Sequence, residues 1–256
     1  MKLAKWLLLA ACALVCCACS KSPLAYVEED ADFVTYFNTG ASLDDNEWKA
    51  LQRFLFDGSS DAVHNFHFMG TDLKEHKAQL AIWGKYKKDN GSLMNDSKYK
   101  KAVIVFEEPY AEKFIINAAL GYSVTQEEID DEQAFLLKRG DNVEYTLIMI
   151  DSNTVQIFWD KPSSVLKADN ASELAGKIDK DVVYARAKSS DSLREEAKFR
   201  EKNYKDGQRN YLSEDERKKQ DLLHKELNFG DEIFSVYLDG SELRAETVTE
   251  ADEIVD

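Results

Sequence analysis

The apolar positions of this chain switch between the period of a β-strand and the period of a helix. Residues Ala31 to Phe37 are rich in β-branched and aromatic side chains, which is typical of a strand. Residues Ala102 to Phe106 are uniformly apolar, which predicts a strand that is buried on both faces. Val143 to Ile150 and Val155 to Trp159 are joined by the polar residues 151–154, and this pattern predicts a β-hairpin.

The predicted hairpin also makes a prediction about packing. Because side chains alternate along a strand, Leu147 and Met149 should lie on one face, with Ile148 and Ile150 on the other. Both faces are then apolar, so helices or a second sheet should cover each of them. We therefore expect this hairpin to be central to the fold.

Helical spacing and capping residues occur between the strands. Ser42 followed by Asp45 indicates the start of a helix that ends near Phe56. Pro109 and Gly121 bracket a second helix, and residues 125–128 have the spacing of a capping box, which predicts a short helical turn. The other predicted elements are helices around 172–178, from 193 and over 213–227, strands at 62–69, 78–86, 134–138, 181–185, 232–238 and 242–249, and a polar loop at 88–97.

These elements predict an α+β fold with an antiparallel or mixed sheet over residues 30–249, followed by an acidic tail over 250–256. A strand leads into a helix three times, from Phe33, Ala102 and Val182, at intervals of roughly 70 to 80 residues. This spacing favours two or three repeated strand-helix-strand-strand units, 30–97, 98–180 and 181–249. The alternative is that the alternation reflects no duplication.

The first twenty residues have a different pattern. Lys2 and Lys5 precede an apolar run from Trp6 to Ala18, which is the layout of a secretory signal. This segment resembles the signal of bacterial lipoproteins, in which a cysteine after small residues receives lipid and becomes the new N-terminus. The resemblance predicts a signal peptide over residues 1–18 and a lipidated tether over 19–29.

Two cysteines compete for the lipid. Cys19 follows Ala18 and leaves a full apolar run before the cleavage site, whereas Cys12 matches the lipoprotein motif more closely but leaves a shorter run. Cleavage at Cys12 would also leave three thiols in an oxidising compartment. We favour Cys19, with an ordinary signal peptide as the further alternative. A permanent membrane span is disfavoured, because the apolar run is shorter than the ~20 residues that a bilayer requires.

All four cysteines lie within residues 12–19, so a chain that is cleaved at Cys19 keeps only the lipidated one. Disulfides, cysteine-based zinc sites and thiol nucleophiles are then excluded. A hydrophobic content of 44% is that of a globular domain. In outline the chain is similar to uncharacterised bacterial envelope proteins whose mature part opens on a motif like Ala31-Asp32-Phe33-Val34.

The chain is strongly acidic, with 48 acidic and 33 basic residues and a net charge of −15. Loss of Lys2 and Lys5 with the signal would bring the net charge to about −17. Such a surface is repelled by phosphate backbones, which makes nucleic acid a poor partner and favours a cationic or protein partner. Ser20 is not the aspartate that marks retention at the inner membrane in enteric bacteria, which favours the outer membrane over the inner one.

Few residue patterns carry chemistry, and the sequence predicts no cofactor. Glu107 and Glu108 end a buried strand and are the candidate acid and base of a hydrolase. His64 and His67 are spaced for a metal only if they lie on a helix. Other candidates are the acidic residues Glu127, Glu128, Asp130, Asp131 and Glu132 for calcium, and Trp48, Trp83 and Trp159 for a sugar platform.

Each of these patterns also has a simpler structural explanation, as a solvated acidic surface or as part of the core. We therefore predict a membrane-anchored bacterial envelope lipoprotein with a non-enzymatic binding or structural role. The alternatives are an envelope hydrolase that uses a carboxylate pair, and a binding protein for a cationic ligand. A flat sheet face with exposed aromatic residues would favour a binding protein, and a cleft with two facing carboxylates would favour the enzyme.

Overall fold

The computed structural model describes residues 21–41, 43–56, 66–89, 92–95, 100–168, 172–203, 213–215, 230–239 and 242–249. The fold is α+β. Its helical segments are a 3-10 helix, Pro23–Tyr26, and the α-helices α1 (Asp45–Phe56), α2 (Ala111–Ala118), α3 (Glu173–Gly176) and α4 (Ser190–Asn203). No helix in these ranges is both long and apolar enough to cross a bilayer.

One large antiparallel sheet dominates the described residues. Its strands are β1 (Phe33–Asn38), β4 (Ala78–Gly84), β7 (Lys101–Phe106), β8 (Ser123–Ile129), β9 (Glu132–Arg139), β10 (Asn142–Met149), β11 (Thr154–Phe158), β12 (Tyr184–Lys188), β13 (Glu232–Asp239) and β14 (Glu242–Thr249). Their spatial order is β14-β13-β12-β1-β4-β7-β11-β10-β9-β8. Two small hairpins complete the strands, β2 (His67–Phe68) with β3 (Thr71–Asp72) and β5 (Tyr86–Asp89) with β6 (Ser92–Asn95).

Both faces of the middle part of the sheet are covered, whereas the edge strands β8 and β14 are largely exposed. The front face carries Ile104 and Leu147 and packs against α1, residues 66–77 and α2. The back face carries Val103 and Ile148, and it packs against the 3-10 helix, α3 and residues 165–166. The continuous apolar pattern of β7 arises because its side chains fill both layers.

The predicted hairpin forms β10 and β11, with Ile148 paired to Gln156. Leu147 and Met149 belong to the front layer, and Ile148 and Ile150 to the back layer, which confirms the predicted faces. The back layer over this hairpin is a loop rather than a helix or a second sheet. The centre of the sheet is β4 and β7, so the hairpin is not central.

The predicted helical turn at residues 125–128 is wrong, because these residues lie in strand β8. Thr125 pairs with Leu136 and Glu127 with Ala134 across the antiparallel β8–β9 ladder. The turn between the strands is Asp130-Asp131, whose φ angles are +51° and +66°. Two consecutive positive φ angles define the tight turn that suits a two-residue hairpin. Strand pairing therefore overrides the local capping pattern.

The expected tether over residues 19–29 is also wrong in part. Leu24 and Val27 are buried on the back face, and Ser172 N donates to Val27 O at 3.1 Å. Folded structure therefore begins at Pro23 rather than near Asp30. The expected loop at 88–97 contains the β5–β6 hairpin, and the expected strand at 181–185 begins later, at Tyr184.

All three proposed repeat units contribute to the same sheet. Helix α1 connects β1 with its neighbour β4, whereas α2 connects β7 with β8, and three strands lie between these two. The connections therefore differ, and duplication stays a prediction. The signal over 1–18, most of the helix over 213–227, the acidic tail over 250–256 and most of the strand at 62–69 lie outside the described residues.

Candidate binding surface

Glu107 and Glu108 follow β7, as predicted, and both side chains are exposed. Glu107 Oε2 lies 3.8 Å from Lys77 Nζ, and the Glu107 side chain is 56% exposed. A solvated carboxylate next to a lysine is the ordinary environment of a surface ion pair. No feature of this environment favours the hydrolase over a surface role.

The structure describes only one member of the histidine pair. His64 lies outside the described residues, and His67 is in β2 with Nε2 3.9 Å from Asp72 Oδ2. Within the described ranges, no group of three or more His, Cys, Asp or Glu side chains is placed to hold a metal ion.

The acidic residues around the β8–β9 turn have structural partners. Glu127 forms an ion pair with Lys161, and Asp130 Oδ2 accepts a hydrogen bond from Val165 N at 3.0 Å. These contacts fasten residues 161–165 beside the back face. The two carboxylates therefore hold a loop in place, which differs from both the calcium site and the solvated surface that the sequence suggested.

The three tryptophans do not form one platform. Trp83 is buried on the back face, where its Nε1 donates to Glu28 Oε2 at 3.3 Å. Trp48 packs edge-on against Phe66, and Trp159 packs edge-on against Tyr145, both in the front layer. These three residues therefore do not form the candidate sugar platform, and each packs in or against the core, as the alternative interpretation predicts.

An exposed apolar surface does occur on the front of the molecule, at the end of α2 and the start of β8. Ile116 is 57% exposed, Leu120 75% and Val124 44%. Val124 pairs with Leu137 of the front layer and therefore faces forward with it. We call these three residues, together with Tyr122, the edge patch.

The sequence contains a signal for this patch. Phe114 and Ala118 lie on the buried side of α2, whereas Ile116 and, two residues after the helix, Leu120 are exposed. A surface helix normally has polar residues on that side. Sequence reasoning that assigns the helix one apolar face therefore misses the patch.

A row of aromatic side chains runs along the front face from the edge patch. Tyr122 and Tyr145 meet edge to face with ring centroids 5.9 Å apart, and Tyr145 meets Trp159 at 5.8 Å. Cations close the two ends of the row: the Arg139 guanidinium lies 5.4 Å from the Tyr122 ring, and Lys100 Nζ lies 5.2 Å from the Trp159 ring. Such contacts hold the rings in fixed positions, including the ring of Tyr122 in the edge patch.

The electrostatics of the row follow from its half-buried position. Burial raises the pKa of Tyr145, and the nearby Tyr122 and Glu144 raise it further, while Arg139 opposes them. The phenol of Tyr145 is therefore neutral at physiological pH. It is a hydrogen-bond group in a mainly apolar row.

Strand β8 lies at the edge of the sheet and, among the described strands, pairs with β9 alone. Its first four residues, 123–126, contain no charge and no proline, which are the usual devices that protect an edge strand. The opposite edge, β14, carries Glu242, Arg244 and Glu246. The β8 edge is therefore the better site for adding a further strand.

An acidic cleft of about 560 Å³ lies at the other end of α2. The start of this helix and the ends of β9 and β10 enclose it, and its charged residues are Glu112, Lys113, Asp131, Glu132 and Asp151. Four carboxylates against one ammonium group give the cleft a negative field. The cleft therefore lies beside the end of β8, whereas the edge patch lies at the start of that strand.

Cys19 and Cys12 lie outside the described residues, so the structure leaves the lipidation site as a prediction.

The comparisons with known proteins do not assign the chain to a family. No family model matches it, and no curated protein matches it. Three crystal forms of the protein TP0453 are similar in structure. Form III is 12% identical, with 91% of this chain and 81% of that chain covered and a TM-score of 0.45. Forms I and IV are each 11% identical, with a TM-score of 0.42. The match covers 91% of this chain and 80% of that chain for form I, and 90% of this chain and 81% of that chain for form IV. Similarity at this level carries no argument about function.

Proposed function

We propose that this chain is a lipid-anchored protein of the bacterial envelope with a non-enzymatic binding role. The lipid is carried by Cys19, and a protein partner binds at the edge patch and strand β8. The observation that supports the binding role is the exposed position of Ile116, Leu120 and Val124 beside an uncharged strand edge. Exposed apolar side chains that are grouped at one part of a surface are characteristic of interaction sites.

The chemistry of this surface defines the partner that it fits. An extended segment that pairs with residues 123–126 would gain main-chain hydrogen bonds, and apolar side chains on it would pack on the edge patch. Glu128 and the acidic cleft favour basic residues further along the same segment. The proposed partner is therefore an envelope protein that contributes an extended segment with apolar and basic residues.

The proposed location follows from the signal sequence. Cys19 holds the protein at a membrane of the cell envelope, and Ser20 favours the outer membrane over the inner one. Two or three duplicated units, 30–97, 98–180 and 181–249, are proposed as the origin of the α+β domain.

Membrane fractionation combined with a lipid label tests the anchor. The Cys19→Ala variant should move to the soluble envelope fraction and lose the label, whereas Cys12→Ala should remain lipidated and membrane-bound. Retention of lipid by the Cys19→Ala variant would exclude Cys19 as the acceptor.

Site-specific photo-crosslinking in the native cells tests the binding role. A photoreactive residue at Leu120 should form one discrete protein adduct, and the same residue at the exposed Lys167, near the back face, should not. Combining the probe with Ile116→Ser and Val124→Ser should reduce the adduct at least tenfold. An adduct that forms equally from both positions, or that survives these substitutions, would contradict the proposed surface.

A further inference from the structure

We infer that the lipid anchor fixes the orientation of the domain, with the back face toward the membrane and the edge patch away from it. This inference rests on the proposed lipidation of Cys19. It adds to that proposal by stating which surface of the domain faces the membrane and which faces away from it.

The chain between the anchor and the fold is very short. Residues 20–22 separate Cys19 from Pro23, where the 3-10 helix begins. Consecutive Cα atoms span at most about 3.6 Å each along an extended chain, so the Cα atoms of Cys19 and Pro23 are separated by at most about 14 Å. Lipid at Cys12 would allow a connection almost three times as long. The position of the modified cysteine therefore decides how closely the domain is held.

The point of attachment is part of the core. Leu24 is 3% exposed and Val27 is fully buried, and both pack on the back face. The Glu28 carboxylate immediately after them accepts hydrogen bonds from Lys101 Nζ at 2.5 and 2.6 Å, and one from Trp83 Nε1 at 3.3 Å. Release of this segment would expose apolar surface and break these polar contacts. The anchor is therefore joined to a fixed point on the sheet rather than to a loose end.

The edge patch lies on the other side of the same sheet. Residues 23–27 cover Val103 and Val105 of β7 from the back, while α2 covers Ile104 and Phe106 from the front. Layers that pack on a sheet are about 10 Å from it, so the two surfaces face opposite directions at a distance greater than the Debye length of ~8–10 Å.

Two consequences follow for the partner. The apolar side chains of the edge patch face away from the bilayer that holds the domain, so they are available to a protein rather than to that bilayer. The start of α2, on the front side, forms one wall of the acidic cleft, and anionic headgroups of the anchoring membrane repel that wall least.

Distance measurements on the lipidated protein in phospholipid vesicles test this inference. The mature chain has no other cysteine, so Ser164→Cys on the back and Leu120→Cys on the front each accept a single fluorescent label. With an acceptor dye at the vesicle surface, energy transfer should be at least twofold more efficient from position 164 than from position 120. Equal or reversed efficiencies would overturn the orientation.

A longer connection serves as the matched control. Insertion of fifteen glycine and serine residues between Lys21 and Ser22 should remove most of the difference between the two labels. An unchanged difference would mean that something other than the short connection orients the domain, and would overturn the inference. Mass spectrometry of the N-terminal peptide separates the two proposals. Absence of lipid on Cys19 refutes the anchor and this inference together, whereas lipidated protein with equal efficiencies refutes the orientation alone.

Discussion

The side-chain amide of Gln156 pairs in both directions with the backbone of Leu166. Gln156 Nε2 donates to Leu166 O at 2.8 Å, and Gln156 Oε1 accepts from Leu166 N at 2.8 Å. Gln156 is fully buried on the back of β11, so a polar side chain there requires such partners. These two hydrogen bonds hold the loop that covers Ile148 and Phe158 on the back of the sheet.

We predict that Gln156→Leu destabilises the domain by about 2–4 kcal/mol, because two buried backbone groups of Leu166 lose their hydrogen bonds. Chemical denaturation of the signal-less protein would measure the loss. Gln133→Leu is the matched control on an exposed position of β9 and should change stability by less than about 0.5 kcal/mol. Equal losses for the two variants would show that the Leu166 contact is not important.

The β10–β11 hairpin provides a second stability test. Ile148 is fully buried in the back layer, so Ile148→Asp should cost several kcal/mol by burying a carboxylate without a partner. Ile116→Asp introduces the same side chain at a position that is 57% exposed, and it should leave the melting temperature nearly unchanged. Thermal melts of the two variants would compare them. Similar melting temperatures would contradict the placement of Ile148 in the core.

Asp231 bonds to the residue that follows α3 and to the first residue of α4, which precede it by 54 and 41 residues. Its Oδ1 accepts from Ser190 N at the start of α4 at 2.7 Å, and its Oδ2 accepts from Lys177 Nζ at 2.9 Å. A carboxylate at a helix N-terminus satisfies a free amide and interacts favourably with the helix dipole, so Asp231→Ala should cost about 1–2 kcal/mol.

Asp191 is the control for this prediction because it lies in the same first turn. Its side chain is 86% exposed and pairs with Arg194 at 3.1 Å. Asp191→Ala should cost about 0.5 kcal/mol or less, since surface ion pairs contribute little. Urea denaturation of both variants would measure the two losses in stability. A larger loss for Asp191→Ala than for Asp231→Ala would contradict the role assigned to Asp231.

Tyr36 is predicted to make the domain less stable at alkaline pH. Its hydroxyl donates to Lys180 O at 3.1 Å, and burial, followed by the charges of Asp181 and Asp179, raises its pKa well above the usual value of 10.0. The phenol is neutral in both states below about pH 10. As the pH rises further, only the unfolded chain loses the proton at first, so stability falls.

The Tyr36→Phe variant cannot undergo this loss. It should be about 1 kcal/mol less stable than the native protein at pH 8, because the hydrogen bond to Lys180 is absent. This difference in stability between the two proteins should then decrease as the pH rises above about 10. Denaturant titrations at pH 8 and pH 11 would measure the difference. A constant difference would show that Tyr36 does not cause the loss of stability at alkaline pH.

Several elements were predictable because their signals are local. The strands β1, β7, β10 and β11 and the helices α1 and α2 have apolar periods that match their structures within a few residues. The faces of the hairpin followed from strand alternation alone. The edge patch was not predicted, although Ile116 and Leu120 are spaced as an apolar pair. Their exposure depends on which side of α2 packs against the sheet.

Composition, the positions of all four cysteines, the strongly apolar strands and their alternating faces were determined by the sequence, since each depends on residues that are close together in the chain. The order of the strands, the burial of Pro23 to Val27 and the position of β8 at an edge were decided only by the tertiary structure. The physical reason is that strands and apolar segments are stabilised by partners far away in sequence. Residues 125–128 show this most directly: their capping pattern favours a helical turn, but pairing with β9 makes them a strand.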